Sequence, residues 1–221
     1  MLLIGTAGLS GQSDTRLSSA FEAGEGVNGR VLAMVVQPDG KIVVGGNFSA
    51  VNGVPRGNLA RLNADGTLDR TFADQYAAGV NGTVYALALH PAGGVIVGGD
   101  FTSAGNTVRT DLAHFNNDGS VDLKFGSGQG GQVTNGCVSA LAVQPDGKVL
   151  IGGSFNVVLG KQRINIARLN ADGTLDDPVA PKQIINGSVD SLVPLPGGSF
   201  VAGGGFTVAG KVPQNIFRPG N

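Results

Sequence analysis

The sequence predicts an all-β fold, a small β-propeller built from four-stranded antiparallel blades. Three observations predict it: Gly and Pro supply 38 and 10 of the 221 residues, 41% of the residues are hydrophobic, and a Gly-Gly-x-Phe motif recurs four times. Each interior glycine costs a helix about 1 kcal/mol and each proline about 3, so long helices are excluded. The hydrophobic content excludes the composition of disordered chains. One domain with its own core is expected at this length.

The repeat has a period of about 53 residues. The phenylalanines of the motif are separated by 53, 54 and 51 residues, and they are Phe48, Phe101, Phe155 and Phe206. Ten residues before each phenylalanine stands a proline that opens a turn; these are Pro38, Pro91, Pro145 and Pro196. A period of this size is typical of propeller blades.

Each repeat contains four predicted strands, which in the first repeat cover 31–36, 42–44, 59–62 and 67–72. The first two are apolar at both alternating positions, so we expect them to be buried on both faces. The other two are more polar and should lie further out. The Pro38-Asp-Gly and Asn63-Ala-Asp-Gly turns have the residues of a type I turn with a G1 bulge, which fixes the register of both hairpins.

Four blades are predicted, and the N-terminal strand closes the last one. The domain covers 14–221, with repeats at 27–79, 80–133, 134–185, and 186–221 combined with 14–26. Residues 14–21 align with the fourth strand at 65–72 and would complete the last blade. A piece of a larger ring, or a chain that pairs with a second copy, stays open as an alternative, because an unclosed end exposes a sheet face and edge.

Charge and composition restrict the partners and the location. The net charge is −1 and no block of like charge occurs, which argues against nucleic acid as a partner. Cys137 is the single cysteine, so no internal disulfide can form. Residues 1–13 are apolar and small, as at the end of a secretory signal, but lack a basic region. No stretch reaches the roughly 18 apolar residues of a membrane span.

The repeat resembles a known family. The string V-x-A-x-x-V-Q-P-D-G-K-I-x-V-G-G-x-F, followed by A-R-L-N-A-D-G-T-L-D, resembles the delta-60 repeat of bacterial β-propellers found in secreted and cell-surface proteins. Residues 27–79 and 134–176 match closely, 80–133 carries His114-Phe in place of Arg-Leu, and the last repeat matches least. The resemblance implies a propeller and export, and it brings no catalytic residues.

Two sets of residues are candidates for ligand binding on one face of the propeller. Three arginines follow the motif phenylalanine by eight residues, namely Arg56, Arg109 and Arg163. They either bind an anionic ligand or tie their loops to the neighbouring blade. Asparagines precede each inner strand and would surround the channel mouth; these are Asn28, Asn81, Asn135 and Asn186. They either bind a ligand or serve turns that need a positive φ.

The function predicted from these observations is a non-catalytic binding or structural module, secreted or on the cell surface, whose partner is a glycan or a protein. A closed ring would be a monomer and an open one a homo-oligomer. The alternatives are a repeat fragment that oligomerises to close its ring and a glycan hydrolase or lyase at the channel mouth. The carboxylates that such an enzyme would use are Asp74, Asp100, Asp111 and Asp190.

Neither a cofactor nor a metal is predicted. The oxygen-bearing side chains of Asn63, Asp65 and Asp69 resemble a calcium loop, but the turn itself requires Asn and Asp for local hydrogen bonds. His90 and His114 occupy repeat positions held by Gln and Arg elsewhere and are interpreted as drift. Hairpin register predicts cross-strand ion pairs, namely Arg61–Asp69, His114–Asp122 and Arg168–Asp176.

Overall fold

The computed structural model describes residues 24–73, 79–126, 133–176, 185–208 and 216–217. Across these residues the fold is all-β except for a single 3₁₀ turn at Pro196–Gly198. Four antiparallel three-stranded sheets follow one another along the chain as blades. The predicted N-terminal segment 1–13 and the closing strand 14–21 lie outside the described residues, so the proposed division into domains stays a prediction.

The first three blades share one plan of three main strands and a short hairpin in the loop between the second and third. Blade 1 comprises β1 (Arg30–Val36), β2 (Ile42–Asn47), β3 (Ala50–Val51), β4 (Val54–Pro55) and β5 (Leu59–Leu62). Blade 2 comprises β6 (Thr83–Leu89), β7 (Val95–Asp100), β8 (Ser103–Ala104), β9 (Thr107–Val108) and β10 (Leu112–Phe115). The second strand pairs with both the first and the third, so the sheet orders are β1-β2-β5 and β6-β7-β10.

Blades 3 and 4 add a short strand before the inner strand. Blade 3 comprises β11 (Val133–Thr134), β12 (Cys137–Val143), β13 (Val149–Ser154), β14 (Val157–Val158), β15 (Lys161–Gln162) and β16 (Ile166–Leu169). Blade 4 comprises β17 (Ile185–Gly187), β18 (Ser191–Pro194), β19 (Phe200–Gly203), β20 (Phe206–Val208) and β21 (Ile216–Phe217). Their main sheets have the orders β12-β13-β16 and β18-β19-β21. Within the described residues, the plan of three main strands therefore occurs four times.

The tight turns form as predicted. Gly40 has φ +82° and donates its N–H to the Gln37 carbonyl at 2.9 Å, and Gly66 has φ +88° and donates to the Asn63 carbonyl at 2.9 Å. In blades 1 to 3 the predicted fourth strand is reduced to one bridge, such as the bridge between Leu62 and Leu68. In blade 1, Asp69 Oδ1 accepts the N–H of Thr71 at 2.9 Å, so this N–H does not pair with the neighbouring strand.

Glycine doublets let neighbouring blades approach closely. A Cβ atom on Gly98 would lie 2.6 Å from Val138 Cγ1 of the next blade, and one on Gly152 would lie 2.6 Å from Val189 Cγ1. Gly45 receives Val84 in the same way. The second glycine of each doublet instead allows close approach to the blade's own inner strand. The first glycine of each of these doublets is therefore a contact point between neighbouring sheets, and we call this first position the glycine notch.

Burial on both faces is confirmed for the second strands of blades 1 to 3 but is wrong for the inner strand of blade 1. Residues of β7 and β13 such as Ile96 and Ile151 are fully buried. In β1, Met34 and Val36 are 67% and 62% exposed. The reason is positional: the inner strands of blades 2 and 3 are covered by the blade before them, and no described blade precedes blade 1. On the same face of the blade 1 sheet as Met34, but in its second and third strands, Val44 and Ala60 are buried.

Candidate binding face

The antiparallel blades give the propeller two faces. The turn face carries the tight turns between the first and second strands and after the third strand. The loop face carries the segments 48–58, 101–111 and 155–165, each following a motif phenylalanine, together with the Asn-Gly turns that enter the inner strands. Bridges such as Val27–Val51 and Val80–Ala104 join each entering segment to the hairpin of its own blade. All candidate ligand-binding residues therefore lie on the loop face.

The asparagines organise the hairpin loops. Asn28 Oδ1 accepts the N–H groups of Ser49 at 3.0 Å and Ala50 at 2.9 Å, and Asn28 Nδ2 donates to Ser49 Oγ at 2.9 Å. Asn81 makes the same three bonds with Thr102 and Ser103, at 2.9, 2.9 and 2.8 Å. Both asparagines are nevertheless exposed to solvent. The arrangement holds one amide beside one hydroxyl at the surface of each of these blades.

The other two asparagines are also exposed. Asn135 Nδ2 donates to Asn156 Oδ1 at 3.0 Å, and Asn186 lies in β17. The expectation of positive φ holds for Asn135, at +64°, but not for Asn28 or Asn81. There the glycine that follows is needed for close approach, because a Cβ on Gly29 would collide with the Asn47 carbonyl.

The loop arginines support the loops from beneath. Arg56 and Arg109 are buried, and Arg163 is half-buried. Arg109 Nη2 donates to the carbonyls of Asp122 at 3.2 Å and Leu123 at 3.1 Å, so it ties its loop to the end of its own repeat rather than to the neighbouring blade. Arg56 Nη1 and Arg163 Nη1 each donate to the carbonyl of the preceding residue, at 2.9 and 2.7 Å.

A third set of loop-face residues was missed by sequence reasoning. Asn58, Asp111 and Asn165 stand ten residues after the motif phenylalanine, and each has a positive φ near +60°. The Oδ1 atom of each accepts the N–H of that phenylalanine, at 2.9, 3.1 and 3.0 Å. Asn58 Nδ2 also donates to the Val80 carbonyl of the next blade at 3.1 Å. The recurrence of Asn or Asp at this spacing was the available signal.

Asp111 is a buried acid in a position that the other two blades give to asparagine. Burial raises the pKa of Asp111 to about 7, and the nearby Asp100 carboxylate adds to the rise, while the hydrogen bond from the Phe101 N–H opposes it. Burial also raises the pKa of the Cys137 thiol, with smaller contributions from Asp100, Asp111 and Asp190. Three of the four predicted acids therefore lie near Cys137; Asp74 is outside the described residues.

The predicted ion pairs lie on the turn face and are confirmed. Arg61 Nε donates to Asp69 Oδ2 at 2.8 Å, and Arg168 Nε donates to Asp176 Oδ2 at 2.7 Å. Lys41 Nζ adds a second bond to Asp69 at 2.7 Å. Although burial opposes it, hydrogen bonds from Lys41, Thr71 and Arg61 hold the pKa of Asp69 well below its usual range.

The two histidines jointly replace an arginine and a glutamine. His114 Nδ1 lies 3.0 Å from Asp122 Oδ2, and His114 Nε2 lies 2.9 Å from the Gly93 carbonyl. Arg61 Nη1 donates to the Asn117 carbonyl of blade 2 at 2.5 Å. The imidazole of His114 is shorter than an arginine side chain and does not extend to the equivalent carbonyl of the next blade. In blade 2, His90 Nε2 makes the equivalent contact, 2.8 Å from the Ala171 carbonyl of blade 3. The pair thus preserves the link between blades.

The oxygen-rich turn is used by the turn itself. Asp65 Oδ1 accepts the N–H of Thr67 at 2.9 Å and its hydroxyl at 2.6 Å, and Asn63 Nδ2 donates to Thr67 Oγ1 at 2.9 Å. The hydrogen bonds from Thr67 lower the pKa of Asp65. Within the described ranges, no three His, Cys, Asp or Glu residues are grouped so as to hold a metal ion.

The blade plan and its loop-bearing face define a repeat β-propeller. A family model described as a β-propeller domain of unknown function, DUF5122, matches residues 37–72, 93–125 and 144–177, which lie in blades 1, 2 and 3 and begin after the inner strand of each. These three repeats therefore resemble this β-propeller family, and the resemblance to delta-60 repeats is confirmed. No curated protein matches the sequence.

Three solved structures are similar to the chain. The WD40 β-propeller domain of Doa1 is 14% identical, with a TM-score of 0.53 over 86% of this chain and 50% of that chain. The extracellular domain of a protein described as a one-component system from B. thetaiotaomicron is 17% identical, with a TM-score of 0.45 over 85% of this chain and 22% of that one. A protein of unknown function from Bacteroides caccae is 15% identical, with a TM-score of 0.44 and coverage of 86% and 60%.

The chain thus spans between a fifth and two thirds of the length of these structures. Among the residues that can be described, no helix has the length and apolar character required to span a membrane.

Proposed function

We propose that the chain is a non-catalytic extracellular binding module that recognises a glycan on its loop face. The observation that carries the proposal is the repeated pairing of an exposed asparagine amide with a neighbouring polar side chain. Asn28 is paired with Ser49, Asn81 with Thr102, and Asn135 with Asn156. Binding residues commonly lie on loops that a rigid scaffold positions, and the second strands buried on both faces supply that scaffold.

The chemistry of these pairs favours a ligand rich in hydroxyl groups. An amide offers two donors and an acceptor, and a hydroxyl offers both roles. In Asn28 the Oδ1 atom is occupied by two backbone N–H groups, while one N–H of its Nδ2 group is not needed for Ser49. The remaining amide hydrogens lie at equivalent positions of successive blades on the loop face, which suits several hydroxyl groups of one sugar chain.

The loop arginines contribute in a second way. Because Arg56 and Arg109 are buried and bonded to carbonyls, their role in the proposal is to hold the loops and to give the face a positive bias. Arg163 is half-buried and is the arginine best placed to contact an acidic sugar. The extracellular location rests on the resemblance to repeats of secreted and cell-surface proteins and on the apolar segment 1–13.

Glycan-array screening of the full chain, followed by titration of any hit, tests the proposal. Asn28→Asp and Asn81→Asp keep the Oδ1 acceptor and remove the amide donor, so we expect binding to weaken at least about tenfold. Asn117→Asp is the matched control on the turn face, since Asn117 is exposed and its Oδ1 accepts the Gly94 N–H at 2.7 Å.

The results of these experiments distinguish a glycan-binding module from a glycan-cleaving enzyme. Failure of the folded chain to retain any neutral or acidic glycan contradicts the proposal, and equal losses for Asn117→Asp and Asn28→Asp contradict the assignment to the loop face. Mass spectrometry of the bound glycan after long incubation should recover it intact. Recovery of a shortened or unsaturated product would instead support the hydrolase or lyase.

A further inference from the structure

The two ends of the blade series carry surfaces that inner blades bury. Val31 in blade 1 aligns with Val84, Val138 and Val189, which are each 0% exposed because they insert into the glycine notch of the preceding blade. Val31 itself is 38% exposed. It is accompanied by Met34, which aligns with Leu87, Leu141 and Leu192. Blade 1 therefore presents the inserting side chains of an inner strand, and no glycine notch of a described blade lies beneath them.

Blade 4 carries the surface that is complementary to the inserting side chains of blade 1. Its notch position is Gly203, three residues before the motif phenylalanine like Gly45, Gly98 and Gly152. Opposite Gly203 in the sheet lies Ile216, which aligns with Leu59, Leu112 and Ile166. Those three residues are 1%, 6% and 2% exposed because the following blade covers them, whereas Ile216 is 68% exposed.

We infer that these two surfaces form a blade-to-blade interface between two copies of this chain, head to tail, in one ring. The occupant must carry the inserting residues of an inner strand to fill the notch of blade 4, and blade 1 of a second copy carries them. The number of copies follows from the length of a similar propeller. Most of this chain matches half of the Doa1 β-propeller chain, so two copies match the length of one such ring.

This assembly differs from an apolar patch that pairs with itself. The contact is heterologous, since blade 1 of one copy meets blade 4 of its partner, and such contacts close into rings when the rotation allows it. Two identical contacts close the ring. The loop face would then carry the Asn-Gly turns of both copies around one channel mouth, which extends the proposed glycan site without depending on it.

Light scattering coupled to size-exclusion chromatography tests the inference. We expect a mass about twice the 22.2 kDa of one chain. Met34→Glu and Ile216→Glu each place a carboxylate in the interface and should weaken association by at least about tenfold, giving the single-chain mass at micromolar concentration. Val108→Glu is the matched control, since Val108 is 67% exposed on a hairpin of the loop face, and it should remain double.

Mixing the two variants makes the test specific. A pair of one Met34→Glu chain and one Ile216→Glu chain contains one interface without substitutions, so the double mass should be partly restored. Each variant should melt cooperatively by circular dichroism, because both positions are exposed. A single-chain mass for the unsubstituted protein overturns the inference, as does an open series of larger species, or an absence of restoration on mixing.

Discussion

Replacing Asp111 by Asn should remove a pH-dependent loss of stability. Asp111 caps the Phe101 N–H at 3.1 Å and is 3% exposed, and its pKa rises from the ordinary 3.8 to about 7. Asn58 makes the same contact in blade 1 and donates its amide to the next blade. The Asp111→Asn variant therefore keeps the acceptor, supplies a donor and cannot ionise.

The magnitude follows from linkage. Below pH 3.8 the carboxyl group is protonated in both the folded and unfolded states, so its stabilising contribution is fully present. As the pH rises from 3.8 to 7 the unfolded chain releases this proton and the folded protein keeps it, so stability falls. Raising the pKa from 3.8 to about 7 corresponds to about 4 kcal/mol. Since water and side-chain relaxation screen part of this, we expect about 2–4 kcal/mol.

Urea unfolding of the two proteins between about pH 3 and about pH 8.5, a range that brackets 3.8 and about 7, measures the difference. The free energy of unfolding of Asp111→Asn should exceed that of the unsubstituted protein by an amount that grows with pH and levels off above about pH 7.5. Other acids cancel in the difference. The reciprocal change Asn165→Asp, at a buried equivalent site, should create the same pH-dependent loss. A difference that does not vary with pH would refute the reasoning.

Three further predictions concern the scaffold. Gly98→Ala should destabilise the protein by about 1–3 kcal/mol in urea unfolding, because its Cβ would lie 2.6 Å from Val138 Cγ1. An unchanged unfolding midpoint would contradict the close contact between blades at the glycine notch. Arg61→Ala should cost about 2–3 kcal/mol in the same assay, because it removes one of the two cations that contact the buried Asp69 and leaves Lys41 as the other. A loss no larger than that of Lys41→Ala would contradict the buried pair. Because the pKa of Asp69 is lowered, the ionised carboxylate stabilises the folded protein above the ordinary pKa of 3.8, and this stabilisation should be lost as the pH falls below it. Asp69→Asn should therefore reduce the fall in the free energy of unfolding at acid pH. An unchanged fall would contradict the role of Asp69 in acid stability.

The periodic features of the fold could be predicted from the sequence, because each depends on residues within one repeat. Gly40 and Gly66 take the positive φ that their turns require, and Arg61 lies opposite Asp69 because that register follows from the turn. The hairpin at 51–54 also had a local signal, since Asn52-Gly53 is a favoured type I′ pair with φ +50° and +72°. The sequence analysis nevertheless predicted no hairpin between the second and third strands.

Features that depend on neighbouring blades could not be predicted in this way. The sequence of Val31–Val36 has the apolar pattern of a strand buried on both faces, and only the position of blade 1 in the series leaves Met34 exposed. The burial of Asp111 likewise depends on the surrounding loops. For the candidate site, the sequence placed the asparagines and arginines on one face, but their division into exposed amides and buried supports follows from hydrogen bonds with other segments.

Engineered disulfides test most directly how the blades dock. Cβ atoms at Gly152 and Val189 would lie 3.1 Å apart, slightly inside the spacing of a disulfide, so Gly152→Cys with Val189→Cys is the positive control and should link within one chain. With Cys137→Ser as background, Val31→Cys and Gly203→Cys should link two chains on a non-reducing gel. A link within one chain would instead show that blade 4 closes on blade 1 of the same molecule, and no link at all, with the control formed, would contradict the docking of these two surfaces.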